Sequence, residues 1–136
     1  MTFPTCHPGD RLETLELPVD RASIVAGAIA SQDFEDVHRD PDAAKRRGAP
    51  DVFISINTTN GIIDRYVTDW TGPSGRLMSV GLRLGMPLHP GDVLRMDADV
   101  EAVEDGVVTL KVVGRHERGT HVTATVKVRQ HEGGKS

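Results

Sequence analysis

The sequence predicts an α+β domain in which one antiparallel sheet lays its apolar face on one long helix. Three observations predict it. The chain has 136 residues, which fits a single domain at the usual roughly 100 to 200 residues each. A long apolar stripe of helical period occurs once, between Thr58 and Trp70. After it the apolar period changes to two and stays there through most of the remaining chain.

Taken in order, Leu12 to Leu17 and Ile24 to Ala30 are short, apolar-rich and punctuated by Pro18 and Asp20, which predicts two strands. Pro41 directly after Asp40 suits a helix start, and Gly48 and Pro50 suit its stop, so residues 41–47 are expected to form a short helix. In the main helix Ile62, Ile63, Tyr66, Val67 and Trp70 share one stripe, with Thr58 or Thr59 as its cap and Gly72-Pro73 as its end. Tyr66 and Trp70 fall on that stripe and are therefore expected to pack against the sheet. Next, Met78, Val80, Leu82 and Leu84 alternate with polar residues or glycine, as do Leu94 to Ala102 and Val122 to Val128. Val107 to Val113 lies between the last two, with Asp105-Gly106 and Arg118-Gly119 as hairpin turns. Two strands, a helix and a four-stranded meander give the element order of the hot-dog architecture, a sheet wrapped around a helix. The domain spans 1–136, with an ordered core over about residues 8–129 and a flexible tail at 130–136, QHEGGKS.

Composition narrows the function. Phe3, Phe34, Phe53, Tyr66 and Trp70 are the whole aromatic complement, so the core is built from Val, Ile, Leu and Ala. These bury less area per residue than aromatics, which favours help from a partner chain. Sixteen basic against twenty acidic residues give a net charge of -4, with the signs interspersed, which argues against a nucleic-acid phosphate footprint. The longest apolar stretch, Ile24 to Ala30, falls far short of the roughly 18 residues of a membrane span. The start MTFPTCHPGD lacks a basic end followed by an apolar run, so a cytoplasmic protein is expected. Cys6 alone allows no internal disulfide and no Cys-paired zinc site, and the six histidines show no metal-ligand spacing, so no metal is expected. The glycines at 72, 75, 81 and 85 do not lead a strand into a helix, as a phosphate-cradling loop requires.

Asp33 and His38 are the candidate chemical pair, because a carboxylate beside an imidazole can move protons to and from water near neutral pH. A five-residue step turns about 140° around a helix, so the two converge only if their segment bends. The residue types alone favour a solvated acidic turn with an incidental histidine. His7, His116, His121 and His131 lie in the leader, near strand ends or in the tail, where solvated positions are expected, and His89 in PLHPGD has no expected chemical role.

Residues 31–48, SQDFEDVHRDPDAAKRRG, resemble the signature of the MaoC-like, R-specific enoyl-CoA hydratases, a GDxNPxHxD segment followed by an Ala-rich helical turn and Gly. Asp33 and His38 match the family's catalytic pair, Asp40 the following acid, and Ala43, Ala44 and Gly48 the helix and its end. GMPLHPGDVL at 85–94 and PGD at 8–10 are similar to two further turns of the family. Gln32, Glu35 and Asp36 depart from the signature's Gly, Asn and Pro, and the main helix opens SINTTNG where the family has an Ala-His-Gly-Met type. The pair survives these departures; the oxyanion site is what they alter. The resemblance implies an acyl-CoA thioester substrate, no separate cofactor, and an oxyanion region at Ile56, Asn57 and Thr58, where Asn57 also fits a helix cap. Arg65, Arg76 and Arg83, with Asp64, fit either a CoA phosphate contact or a chain interface.

The runs DRYVTDWTGPSG, VGLRLGMP, TLKVVGR and HVTATV resemble, more narrowly, the small MaoC-like subunits of actinobacterial steroid side-chain hydratases. That resemblance implies a cholesterol-derived enoyl-CoA substrate and a larger MaoC-like-domain subunit as partner, to which a thiolase-like aldolase docks. Hot-dog proteins also include thioesterases and non-catalytic subunits, and these are the alternative readings.

Overall fold

Alternating apolar residues supply one face of a five-stranded antiparallel sheet, and the computed structural model describes it within residues 4–22, 24, 40–47, 53–54 and 56–130. The elements are β1 (Leu15–Pro18), α1 (Pro41–Arg46), α2 (Ile56–Thr71), a 3-10 turn (Gly72–Ser74), β2 (Gly75–Leu84), β3 (Val93–Glu104), β4 (Val107–His116) and β5 (Gly119–Gln130). The strand order is β1-β3-β4-β5-β2. The short helix and the long one lie where the sequence predicts them, and β5 runs one residue into the segment expected to be flexible, pairing Gln130 with Gly75.

The meander expected after the helix holds for β3, β4 and β5 only. β2 pairs with β5 across the whole of its length, from Gly75↔Gln130 to Leu84↔Val122, and not with β3. The connection after Leu84 contains Pro87 and Pro90, which have no N–H for a ladder, so the chain leaves the sheet there and crosses to the other side of the β3–β5 hairpins. β1 is the opposite edge, in register with β3 from Leu15↔Met96 to Pro18↔Val93. Upstream of it, Leu12 N–H bonds to the Ala98 carbonyl at 2.9 Å and Gly9 N–H to that of Val100 at 2.8 Å. The second strand expected from Ile24 is not supported at its start: Ile24 N–H bonds the Asp20 carbonyl at 3.1 Å, a helical contact. Residues 25–30 lie outside the described residues.

Asp105 and Gly106 both take positive φ, 53° and 76°, the requirement of a two-residue hairpin turn matched to the strand twist. The second hairpin turn is Glu117-Arg118, one residue earlier than the sequence suggests, because His116 pairs with Gly119.

α2 buries Thr59, Ile63, Tyr66, Val67 and Thr71. Ile63 and Val67 join Leu94, Met96, Leu110, Val112, Val122 and Val126 in one cluster, each fully buried, at about 1.5–3 kcal/mol for burying each larger side chain. Tyr66 and Trp70 pack into or against this cluster as expected. The Tyr66 hydroxyl donates to the Glu13 carbonyl at 2.7 Å. Burial, aided by the Asp97 charge, pushes its pKa up to about 12, so it remains a donor at neutral pH. Among the described residues no helix is long and apolar enough to cross a membrane.

Candidate functional site

Asp33 and His38 lie outside the described residues. The chain is described again at Asp40, whose carboxylate caps α1 by accepting the Asp42 N–H at 3.0 Å, with Pro41 in the first turn. Ala43 and Ala44 of the matched signature are buried. This short helix directly follows the segment that carries the candidate pair in the chain.

Ile56, Asn57 and Thr58 form the first turn of α2. The helix begins at Ile56, so Asn57 is inside the turn and is not its cap, and neither Thr58 nor Thr59 caps it. Ile56 is 49% exposed. The N–H groups of a first helical turn have no partners within their own helix and sit at the positive end of its dipole, so this turn suits a developing oxyanion.

The side chain beneath that turn is one that sequence alternation misplaces. His121 is 2% exposed, and its neighbour Val122 is buried too. A β-bulge accounts for both: Gly114 pairs with Val122 and Arg115 with Thr120, which leaves His121 as the extra residue. His121 Nδ1 lies 2.8 Å from the Met86 carbonyl, and its Nε2 lies 2.9 Å from Thr59 Oγ1. A carbonyl only accepts, so Nδ1 carries the proton and the Thr59 hydroxyl donates to Nε2. Burial pushes the imidazole pKa below its ordinary value; the Met86 hydrogen bond and Asp92 pull it up, and His116 pulls it down. With both nitrogens engaged, this neutral ring orients its neighbours; it is not free to exchange a proton with a substrate.

His116 is also buried, at 8% exposure, contrary to the solvated position expected for it. Its Nδ1 accepts the Arg118 N–H at 3.1 Å while Nε2 faces the same Met86 carbonyl at 3.4 Å. Two imidazoles thus converge on one carbonyl of the crossover between β2 and β3. That crossover is held elsewhere as well: Gly85 N–H bonds the His121 carbonyl at 2.6 Å and Met86 N–H that of Thr120 at 2.8 Å. A Cβ on Gly85 would meet the Thr120 carbonyl oxygen at 2.5 Å, so only glycine fits this approach. Arg118 grips Asp92 with both amino groups, at 2.6 and 2.7 Å, and the His89 N–H adds a third bond at 2.8 Å. Burial pushes the Asp92 carboxyl up, but the hydrogen bonds from Arg118 and His89 and the Arg118 charge outweigh it and hold the pKa below its usual value.

Along the C-terminal half of α2, Leu12, Leu15, Leu17, Ile62, Tyr66 and Trp70 line a groove of about 400 Å³. Arg65, a candidate phosphate contact, lies at its rim and approaches Asp69 at 3.9 Å, both side chains largely exposed. Such a solvated pair contributes little. Among the described residues no three His, Cys, Asp or Glu side chains are grouped to hold a metal ion.

A five-stranded antiparallel sheet in the order β1-β3-β4-β5-β2, packed on one long helix, is the hot-dog fold. The (R)-hydratase of A. caviae involved in PHA biosynthesis shares it, with a TM-score of 0.84 at 19% identity over 93% of this chain and 98% of that one. A MaoC-like dehydratase from Rhodospirillum rubrum does too, with a TM-score of 0.78 at 24% identity over 93% and 94%. No family model matches the sequence. The 3-oxo-4,17-pregnadiene-20-carboxyl-CoA hydratase beta subunit of Mycobacterium tuberculosis is 48% identical over 120 residues, 88% of this chain and 93% of its own length. At that identity and coverage the chain belongs to the same family as this hydratase beta subunit. It is also similar to a chain in the crystal structure of the ChsH1-ChsH2 complex from Mycobacterium tuberculosis, with a TM-score of 0.91 and 46% identity, over 93% of this chain and 100% of that one.

Proposed function

We propose that this chain is the catalytic small subunit of an enoyl-CoA hydratase that acts on a steroid side-chain thioester and works with a second, larger MaoC-like chain. The observation that carries this reading is the 48% identity to a subunit named as a pregnadiene-carboxyl-CoA hydratase.

Hydration places hydroxyl on C3 and a proton on C2 of the enoyl thioester, through an enolate-like state whose charge gathers on the thioester oxygen. In this reading Asp33 and His38 together hold the water, His38 acts as its base, and the pair returns the proton to C2. Backbone N–H groups of the first turn of α2, at Ile56 to Thr58, stabilise the oxyanion with the helix dipole. CoA arrives as part of the substrate, so no separate cofactor is required.

The edges of the sheet support a partner. β1 is four residues long and ends in Pro18, whereas β2 offers ten residues, with Met78 49% and Leu84 39% exposed. β2 has a bulge at Met78 and charges at Arg76 and Arg83, yet an edge of this length with exposed apolar side chains still offers its open ladder groups to another chain. We assign the larger MaoC-like subunit to it, with a thiolase-like aldolase docking on that larger chain.

The test is loss of enoyl-thioester absorbance with a steroid side-chain enoyl-CoA and with a short-chain one, using tagged protein recovered with its copurifying partner. Wild type consumes the steroid substrate, while His38→Ala and Asp33→Asn each lose hydration and keep the partner. Either variant retaining near wild-type turnover overturns the assignment of the pair. Release of free CoA thiol from a saturated acyl-CoA, without hydration, replaces the hydratase with a thioesterase.

A further inference from the structure

The first turn of α2 carries the oxyanion role in the reading above, yet its approach segment and the turn itself are fixed from below by two bonds to different elements. Ile54 N–H bonds the Leu88 carbonyl at 3.1 Å, and the Thr59 hydroxyl bonds His121 Nε2 at 2.9 Å. Both lead to the β2–β3 crossover, the first directly and the second through His121 Nδ1 on the Met86 carbonyl at 2.8 Å. The residue that closes the second link is inward only because β5 has one extra residue, and both of its nitrogens are committed. A bulge that re-aims one side chain onto a helix turn is a common way of presenting a group next to a site.

We propose that His121 is a positioning residue for the hydration site: acting through Thr59, it fixes the first turn of α2 relative to the crossover and so sets where that turn's N–H groups lie. The proposal rests on the hydratase reading and adds to it a residue outside the matched signature. Among the described residues, the groups that face the ring are Thr59 from α2, the Met86 carbonyl and Asp92 from the crossover, and His116 from β4. Thr59 and His121 both lie outside the Asp33–His38 segment in sequence, so the link can be cut with the pair itself unmutated.

The experiment compares hydration kinetics of the copurified complex carrying Thr59→Val, Thr59→Ser or Asp33→Asn. Valine keeps the shape of threonine and removes the hydroxyl that donates to His121; serine keeps the hydroxyl. Thr59→Val is expected to lower kcat by about 10- to 100-fold, the scale of an ångström-sized misplacement, with KM little changed, and Thr59→Ser to recover most of it. Should Thr59→Val fail to assemble, His121→Asn carries the same expectation, since it can still donate to the Met86 carbonyl but offers Thr59 no ring nitrogen. If Asp33→Asn abolishes hydration while the hydroxyl-free variant keeps wild-type kcat, the positioning role is overturned and the hydratase reading stands. If the wild-type complex hydrates neither substrate, both fall together.

Discussion

On a regular strand, residue 121 would share the outer face with Thr123, Thr125 and Lys127, and a histidine there would titrate in water. The extra residue at the bulge turns it inward, where the neutral ring is favoured. The unfolded chain takes up this proton near the ordinary imidazole value of 6.5, and the folded chain only at lower pH. The unfolded state therefore binds more protons between those two values, and stability falls as pH drops through that window. Urea midpoints measured from about pH 8 to about pH 5 are expected to decline in wild type and to decline less in His121→Asn; equal slopes would show that the ring does not report on folding. The signal for this residue was present in the sequence as a conflict of parity. Counting out from a two-residue turn, whether at Arg118-Gly119 or at Glu117-Arg118, puts His121 on the face of Leu110, Val112 and His116, while the apolar pattern puts Val122, Ala124 and Val126 there, and only an inserted residue satisfies both. Asp33 and His38, by contrast, are proposed from motif alone, since their residue types and spacing carry the resemblance and both lie outside the described residues.

Periodicity identifies α2, β2, β3 and β5, because it follows from how side chains point along each element, while α1 is read from its start and stop residues and β4 from the turns that flank it. It did not identify which strands are neighbours. β2 and β3 follow one another in the chain with similar alternation, and nothing in that alternation distinguishes a hairpin from a crossover. The crossover is maintained by the Arg118–Asp92 pair, whose carboxylate is only 9% exposed. Arg118→Met is expected to lower stability at neutral pH by about 1.5–3 kcal/mol, the range for hydrogen bonds to a charged group. Because the folded Asp92 pKa is held down, its contribution is complete above the ordinary carboxylate value of 3.8 and is lost as pH falls through the folded value. The deficit of the variant should therefore shrink in acid. A deficit that persists unchanged in acid would assign the effect to the packing of the arginine stem.

At the scale of the whole molecule, the ten-residue β2 edge with exposed Met78 and Leu84 is the surface that the proposed association would cover. Element order was sufficient to read the hot-dog architecture, whereas the partner had to come from resemblance, since an interface leaves no periodic signature in sequence. Met78→Lys places a charge on the β2 edge at a residue that is 49% exposed, so the cost to this chain alone is expected to stay within about 0.5 kcal/mol. The copurifying subunit, however, should be lost or greatly reduced. The wild-type complex should also melt at a temperature that rises with protein concentration, as association requires. Retention of the partner by Met78→Lys would move the interface away from β2.

The same edge has a consequence during synthesis. β2 is complete at Leu84, but the strand it pairs with is Gly119–Gln130, so while the chain is being made both edges of β2 remain open until β5 has followed it. The two-residue turns allow β3, β4 and β5 to zip together as they emerge, a local process, whereas β2 must wait for a distant segment. On a polysome, neighbouring nascent chains expose the same waiting strand to one another, and pairing there competes with folding. A larger subunit made nearby could cover one edge of β2 before its own sheet covers the other.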